Sequence, residues 1–320
     1  MTKTENGQAP THGVSRVAII GCGNVGTASA YALLHSPSVR ELVLLDHHPE
    51  KAEGEAMDLQ HAVPLGLPVQ VFSGNYREAA SSAIVILTAG TTSQPGESRL
   101  DLLARNVKVV RECVSQLQAE QFRGILLVTT NPVDVLTQVA QQESGLPPRQ
   151  VMGSGTVIDS ARLRALLAAE LNVEARAVHG YVIGEHGDSE IAVWSAVRIA
   201  GIPLADFPQA QKLPSYDDLL IQLRRAAPEV VARKGNTCFA IASCVARICE
   251  AILRDEHSVL PVSAWLEGQY GLEGVYLGTP CIVGAGGVEQ VLELPLDAGE
   301  REGLLASATV LRQAWADLQE

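Results

Sequence analysis

The 320-residue chain carries 24 Lys+Arg against 36 Asp+Glu, a formal charge of −12, with 47% hydrophobic and 19% charged residues. That apolar content supplies a core and excludes global disorder, and the length suits two domains or one large α/β domain. The negative balance argues against nucleic acid or an anionic membrane as partner, but not against a small anion gripped by a local arginine.

Residues 1–13 are polar, contain Gly and Pro, lack the charged-then-apolar order of a signal peptide, and read as a flexible tail. Beyond them, β-prone apolar runs at 17–20, 42–45, 69–72, 84–87 and 125–128 alternate with helix-compatible stretches at 28–35, 51–61, 100–117 and 133–142. Strands separated by helices imply parallel pairing with right-handed crossovers, and nearly all-apolar strands imply a sheet covered on both faces. Leu146-Pro147-Pro148 punctuates this half before a short strand at 151–152. The rhythm then changes: a helix at 160–171, a strand at 177–183, and a long helical segment at 216–253 that Pro228 should break or kink. Short antiparallel strands follow over 259–294, and a closing helix over 298–318. No run reaches the ~18–20 apolar residues of a membrane span. The expectation is two unlike halves, α/β and then α+β.

The six cysteines (22, 113, 238, 244, 249 and 281) form no C-x-x-C pair and sit mostly among apolar residues, as reduced thiols of a cytoplasmic protein do. No metal site is expected.

Gly21-Cys22-Gly23-Asn24-Val25-Gly26 fits G-x-G-x-x-G. Alone that pattern is weak. Here it follows the first strand, opens a helix, and precedes Asp46 at the end of the next strand. Glycines permit a tight turn and close approach of a pyrophosphate to helix-end N–H groups, while Asp46 accepts from ribose hydroxyls and repels a 2′-phosphate. NAD is therefore favoured over NADP. The expected architecture is a Rossmann-type doubly wound parallel sheet over residues 14–153 and a C-terminal α+β substrate domain over 154–320.

Asp159, Arg162 and His186 form a second constellation. Histidine donates protons near neutral pH, and a carboxylate beside it fixes its tautomer and raises its pKa. Arg162, three residues past Asp159, shares its helix face and can hold a carboxylate by two parallel hydrogen bonds. Each alone is usually a surface ion pair or a satisfied histidine; joined to a dinucleotide site they imply redox chemistry. A third segment, residues 89–99, leaves the fourth strand, and Gly90, Pro95 and Gly96 make it a lid that could carry Arg99 over the site.

With these motifs in place the chain resembles the L-lactate/malate dehydrogenase family from about residue 14 to 318. The matching segments include Thr-Ala-Gly at 88–90, Pro-Gly-Glu-Ser-Arg-Leu-Asp-Leu-Leu at 95–103, Thr-Asn-Pro-Val-Asp at 130–134, Gly-Ser-Gly-Thr-Val-Ile-Asp-Ser-Ala-Arg at 153–162 and Gly-Glu-His-Gly-Asp-Ser at 184–189. The resemblance implies an NAD-dependent 2-hydroxy acid dehydrogenase. His186 would be its acid/base, Asp159 the partner, Arg162 the carboxylate anchor, and Arg99 the lid residue that polarises the carbonyl. Thr88, Ala89 and Gly90 would border the cofactor, Asn131 both cofactor and substrate, and Thr237 the substrate pocket. It also implies a homotetramer and a place in fermentative glycolysis.

Within that family, Glu97-Ser98 before Arg99, Glu185 before His186, and Thr237 resemble lactate rather than malate enzymes. The discriminating lid position, six residues before Arg99, is glutamine in typical lactate enzymes and arginine in typical malate enzymes. Here it is Ser93, followed by Gln94. A second substrate carboxylate would then be buried without a partner, which disfavours malate. The shorter Ser93 also leaves room for larger 2-oxo acids. Arg164 and His179 match the pair that binds fructose 1,6-bisphosphate in allosteric bacterial members. Two rivals are weighed: an NAD-dependent glycosidase on a related fold, which would need metal-binding Cys and His residues, and a non-catalytic NAD-binding member, which would not need His186 or Arg99.

Overall fold

The computed structural model describes residues 15–91 and 99–318, with the side chains of residues 99 and 100 outside that description. The first half runs β1 (Arg16–Ile20), α1 (Asn24–Leu34), β2 (Glu41–Leu45), α2 (Pro49–Ala62), β3 (Gln70–Ser73), α3 (Tyr76–Ala80), β4 (Ile84–Leu87), α4 (Arg99–Ala119), β5 (Ile125–Val128), α5 (Val133–Ser144) and β6 (Val151–Gly153). The six strands pair in parallel in the order β6-β5-β4-β1-β2-β3. Because side chains alternate along a strand, one sequence serves two cores. Val17, Ile19, Leu42, Leu44, Ile84 and Ile86 pack toward α1 and α2, whereas Ala18, Ile20, Val43, Leu45, Val85 and Leu87 pack toward α4 and α5. The expected doubly wound sheet is present.

The second half runs α6 (Val157–Leu171), β7 (Val178–His179), β8 (Val182–Ile183), β9 (Ile191–Ala192), β10 (Arg198–Ile199), β11 (Ile202–Pro203), α7 (Tyr216–Lys234), α8 (Phe239–Leu253), β12 (Ser258–Glu267), β13 (Glu273–Gly284), β14 (Gly287–Val291) and α9 (Ala298–Asp317). Three details differ from the sequence expectation. Residues 259–294 do not make a sheet of short strands: β12 and β13 are 10 and 12 residues long, and Ser263 of β12 pairs antiparallel with Gly153 of β6. The central sheet therefore has nine strands. The run 177–183 is two strands in two small sheets, because β7 pairs with β10 and β8 with β9.

The helical segment 216–253 breaks at Gly235, not at Pro228, which lies inside α7. Gly235 takes φ 88°, a left-handed conformation natural to glycine, and its N–H closes α7 on the Val231 carbonyl. The chain then turns into α8, whose Val245, Ile248, Cys249 and Ile252 join the same core as Ala30, Leu33 and Leu34 of α1. A separate core, with Leu163, Leu167, Val178, Val182, Leu219 and Leu223, unites α6 and α7 with the small sheets. All six cysteines are free and buried. Among the described residues no helix is long and apolar enough to cross a membrane.

Candidate active site

Strand order reverses between β4 and β1, and it is at the carboxyl ends of strands beside such a switch that an open α/β sheet leaves a crevice. The Gly21–Gly26 loop lies there. Gly21 has φ 108°, and a Cβ on it would stand 2.5 Å from the backbone N of Ala89; a Cβ on Gly26 would stand 1.9 Å from the Gly21 carbonyl oxygen. Both glycines are demanded by the protein's own backbone. Gly23 is not: nothing lies within 4 Å of where its Cβ would be, and it is exposed at the N-terminus of α1. Open space before helix-end N–H groups is the cradle a dinucleotide pyrophosphate requires.

Asp46 follows β2. Cys22 N–H donates to its Oδ2 at 2.8 Å and His48 N–H to its Oδ1 at 3.0 Å. Burial alone would raise this carboxyl's pKa, but the two backbone donors, with His47 and Lys51, outweigh it and hold the group below the usual carboxylate range. A fixed anion at this position suits ribose hydroxyls and opposes a 2′-phosphate. These residues fit the dinucleotide.

The opposite wall is the segment after β4. Thr88 Oγ1 donates to the Gly21 carbonyl at 2.6 Å, and Thr130 Oγ1 to the Ala89 carbonyl at 2.8 Å. Asn106, buried in α4, receives the Thr91 N–H at 2.7 Å on its Oδ1 and donates Nδ2 to the Asn131 carbonyl at 2.9 Å. One side chain thereby ties the post-β4 segment to the post-β5 turn, where Asn131, exposed, precedes Pro132 through a cis peptide bond.

His186 stands in the β8–β9 loop, which is anchored from three sides. Gly184 exchanges backbone hydrogen bonds with Gly278 of β13, Glu185 N–H donates to Ser307 Oγ of α9 at 2.7 Å, and His186 N–H donates to Asp134 Oδ2 of α5 at 2.8 Å. The other Asp134 oxygen accepts from Ser263 Oγ at 2.5 Å. On the imidazole, Nδ1 lies 2.6 Å from Asp159 Oδ2, in the first turn of α6. The second Asp159 oxygen accepts Arg162 Nη1 at 2.9 Å. Burial by itself would lower the His186 pKa, but the Asp159 charge and hydrogen bond, helped by Asp134 and Glu190, push it up to about 9. Asp134, wholly enclosed, is pushed up to about 6 by burial, against the Ser263 and His186 donors.

The structure thus brings together His186, Asp159 and Arg162. It places Gly21, Gly23, Asn24, Val25 and Gly26 after β1, Asp46 after β2, Thr88, Ala89 and Gly90 after β4, and Asn131 after β5, all at the carboxyl ends of the parallel strands. Thr237, partly buried, lies in the turn between α7 and α8. Arg164 Nε donates to the Gly180 carbonyl at 3.1 Å and its guanidinium covers the Tyr181 ring, beside exposed His179 in β7. Arg99 is the first residue of α4; its side chain, and Ser93 and Gln94 with the rest of 92–98, lie outside the described residues.

Sequence reasoning missed Asn106, Ser263, Ser307 and Glu190, and left Asp134 without a role. All but Glu190 act on a distant segment: Asp134 to His186 spans 52 positions and Ser263 to Asp134 spans 129. The available signal was a polar side chain on a helix or strand face otherwise given to the core.

The chain is similar to known proteins along nearly its whole length. Residues 15–153 match the family described as lactate/malate dehydrogenase, NAD binding domain, and residues 156–320 the lactate/malate dehydrogenase, alpha/beta C-terminal domain. The chain is 47% identical to an L-lactate dehydrogenase of Moorella thermoacetica, over 96% of this chain and 98% of that protein. It is 45% identical to one of Priestia megaterium, over 93% and 95%. Among solved structures, the minor L-lactate dehydrogenase from Enterococcus mundtii in its ligands-bound form superimposes with a TM-score of 0.93 at 41% identity, covering 95% of this chain and 98% of that one.

Proposed function

The chain belongs to the lactate/malate dehydrogenase family of NAD-dependent oxidoreductases, and within it we propose that the reaction is reduction of pyruvate to L-lactate and its reverse. The observation that carries this reading is the His186–Asp159–Arg162 constellation beside the dinucleotide crevice. With Nδ1 committed to Asp159, the imidazole has Nε2 for the substrate oxygen. The raised pKa keeps it protonated at neutral pH, ready to act as general acid. Arg162 spends Nη1 on Asp159, and a guanidinium has five donors, so a second edge serves the substrate carboxylate. When bound, the nicotinamide supplies the hydride for the carbonyl carbon. Arg99, the first residue of α4, takes the role of stabilising negative charge growing on the carbonyl oxygen; donors of this kind are typically worth about 3–4 kcal/mol. Asn131 contacts the same oxygen, and Thr237 borders the substrate side chain.

The choice of pyruvate over oxaloacetate is supported by position 93, where a serine stands. It has no charge to meet a second carboxylate, and such a group in a closed pocket would be buried unpaired. It is supported too by similarity to proteins called L-lactate dehydrogenase. Arg164 and His179, adjacent through Gly180, are proposed as an effector site for fructose 1,6-bisphosphate at a contact between subunits of a homotetramer. We place the enzyme in the cytoplasm, in fermentative glycolysis.

Replacing His186 by Asn tests the mechanism. NADH binding, read by fluorescence, is expected to persist, while turnover falls by roughly 10²–10⁴-fold. Wild-type turnover in the variant would overturn the role given to His186.

A further inference from the structure

One buried ionisable group near the relay has no part in the mechanism above. Glu190, four residues past His186, is 4% exposed. Ligand-capable atoms of Asp159, His186 and Glu190 all lie within 4.8 Å of one another. On its other side Glu190 lines a cavity of about 670 Å³ with Ser195, Arg224 and the stacked rings of Trp194 and Tyr216. Its backbone is pinned, since Arg224 Nη2 of α7 donates to the Glu190 carbonyl at 2.7 Å. A carboxylate kept out of bulk water without an ion-pair partner of its own is costly, and burial is tolerated where the group shares protons or charge with neighbours.

We propose that Glu190 is a third carboxylate of the proton site, a positioning residue that acts through His186 by setting a charge behind the imidazole from the side of the cavity. The charged groups facing it are His186 on its own loop, Asp159 and Arg162 on α6 and Arg224 on α7, and Arg198, Asp297 and Glu300 line the same cavity. Asp159 serves both Arg162 and His186, and the protonation states of His186 and Glu190 are linked across this cluster. A protonated imidazole stabilises the Glu190 anion. Once the proton has gone to the substrate oxygen that support is lost, and burial, followed by the Asp159 charge, pushes the Glu190 carboxyl up. Two groups at this spacing titrate in macroscopic steps that belong to the pair. Glu190 therefore raises the pH up to which His186 serves as an acid.

This role rests on the acid/base assignment of His186, so its test includes a readout that needs no turnover. In the full-length protein with ¹³C-labelled histidine and glutamate, the His186 Cε1 signal, identified by its loss in His186→Asn, is titrated alongside Glu190 Cδ, identified by its loss in Glu190→Gln. In the wild type the two signals are expected to share their titration steps. A Glu190 that titrates alone in the ordinary range near 4.3 would overturn the proposal. In Glu190→Gln, His186 is expected to titrate roughly one unit lower, and Glu190→Asp to recover most of the shift. The alkaline limb of pyruvate reduction and the acidic limb of lactate oxidation should both move acidward with it. An unchanged His186 titration in a folded Glu190→Gln protein sinks the role. A shifted titration in a protein whose wild type turns over no 2-oxo acid would instead sink the proposed function and leave Glu190 in place.

Discussion

Asp159 divides its two oxygens between an imidazole at 2.6 Å and a guanidinium at 2.9 Å, so one carboxylate orients both the proposed proton donor and the proposed carboxylate anchor. The direction of the His186 shift fixes a pH dependence. Reduction of the 2-oxo acid needs protonated His186, so kcat/KM in that direction should stay level below about 9 and fall above it; oxidation needs the neutral ring and should rise through the same pH. Steady-state profiles in both directions check this, and limbs near 6.5, the ordinary histidine range, would contradict the geometry. At Asp46 the expected outcome concerns cofactor choice. Replacing it by Ser removes a charged acceptor from the ribose site, worth about 1.5–3 kcal/mol. NADH binding, followed by fluorescence titration, should weaken roughly 10- to 100-fold, and the discrimination against NADPH should shrink.

These residues announced themselves because their chemistry is written locally: glycines at fixed spacing, an acid at the end of the second strand, Asp and Arg three apart. Asn106 and Asp134 did not, since each is recognisable only when a loop from another part of the chain arrives at its side chain.

At the level of elements, continuous apolar runs located the parallel strands well, because a strand covered on both faces is apolar at nearly every position. Boundaries set by a single backbone conformation were harder. Pro228 looked like the stronger breaker, yet α7 runs through it, and the chain turns at Gly235 with its positive φ. The strand expected over 177–183 divides because β7 and β8 take partners in different sheets, a decision made by β9 and β10 rather than by residues 177–183 themselves. At the start of α9, Asp297 accepts the Glu300 N–H at 2.8 Å while Glu300 receives the Asp297 N–H at 3.0 Å. Glu300 also accepts Ser195 N–H and Oγ, at 3.0 and 2.6 Å, so this cap joins helix to loop. Asp297→Ala should cost about 1 kcal/mol, read as a lower midpoint in urea with unchanged slope. An unaltered midpoint would mean that the Ser195 contacts alone hold the helix start.

Across the whole molecule the two halves are less separate than their sequence rhythms suggest. The nine-stranded sheet passes from β6 into β12, α8 packs on the core of α1, and the His186 loop hangs from β13, α9 and α5 together. The geometry of the candidate site is therefore set by elements from both halves, which local periodicity could not reveal because every such contact is long-range. The central claim is that this assembly is an NAD-dependent 2-hydroxy acid dehydrogenase selective for a substrate with one carboxylate. Its most direct test is NADH oxidation by the purified protein with pyruvate, 2-oxobutyrate, longer 2-oxo acids and oxaloacetate, each with and without fructose 1,6-bisphosphate. Pyruvate should show the highest kcat/KM, with oxaloacetate far behind. Preference for oxaloacetate or for a longer 2-oxo acid would contradict the assignment of substrate.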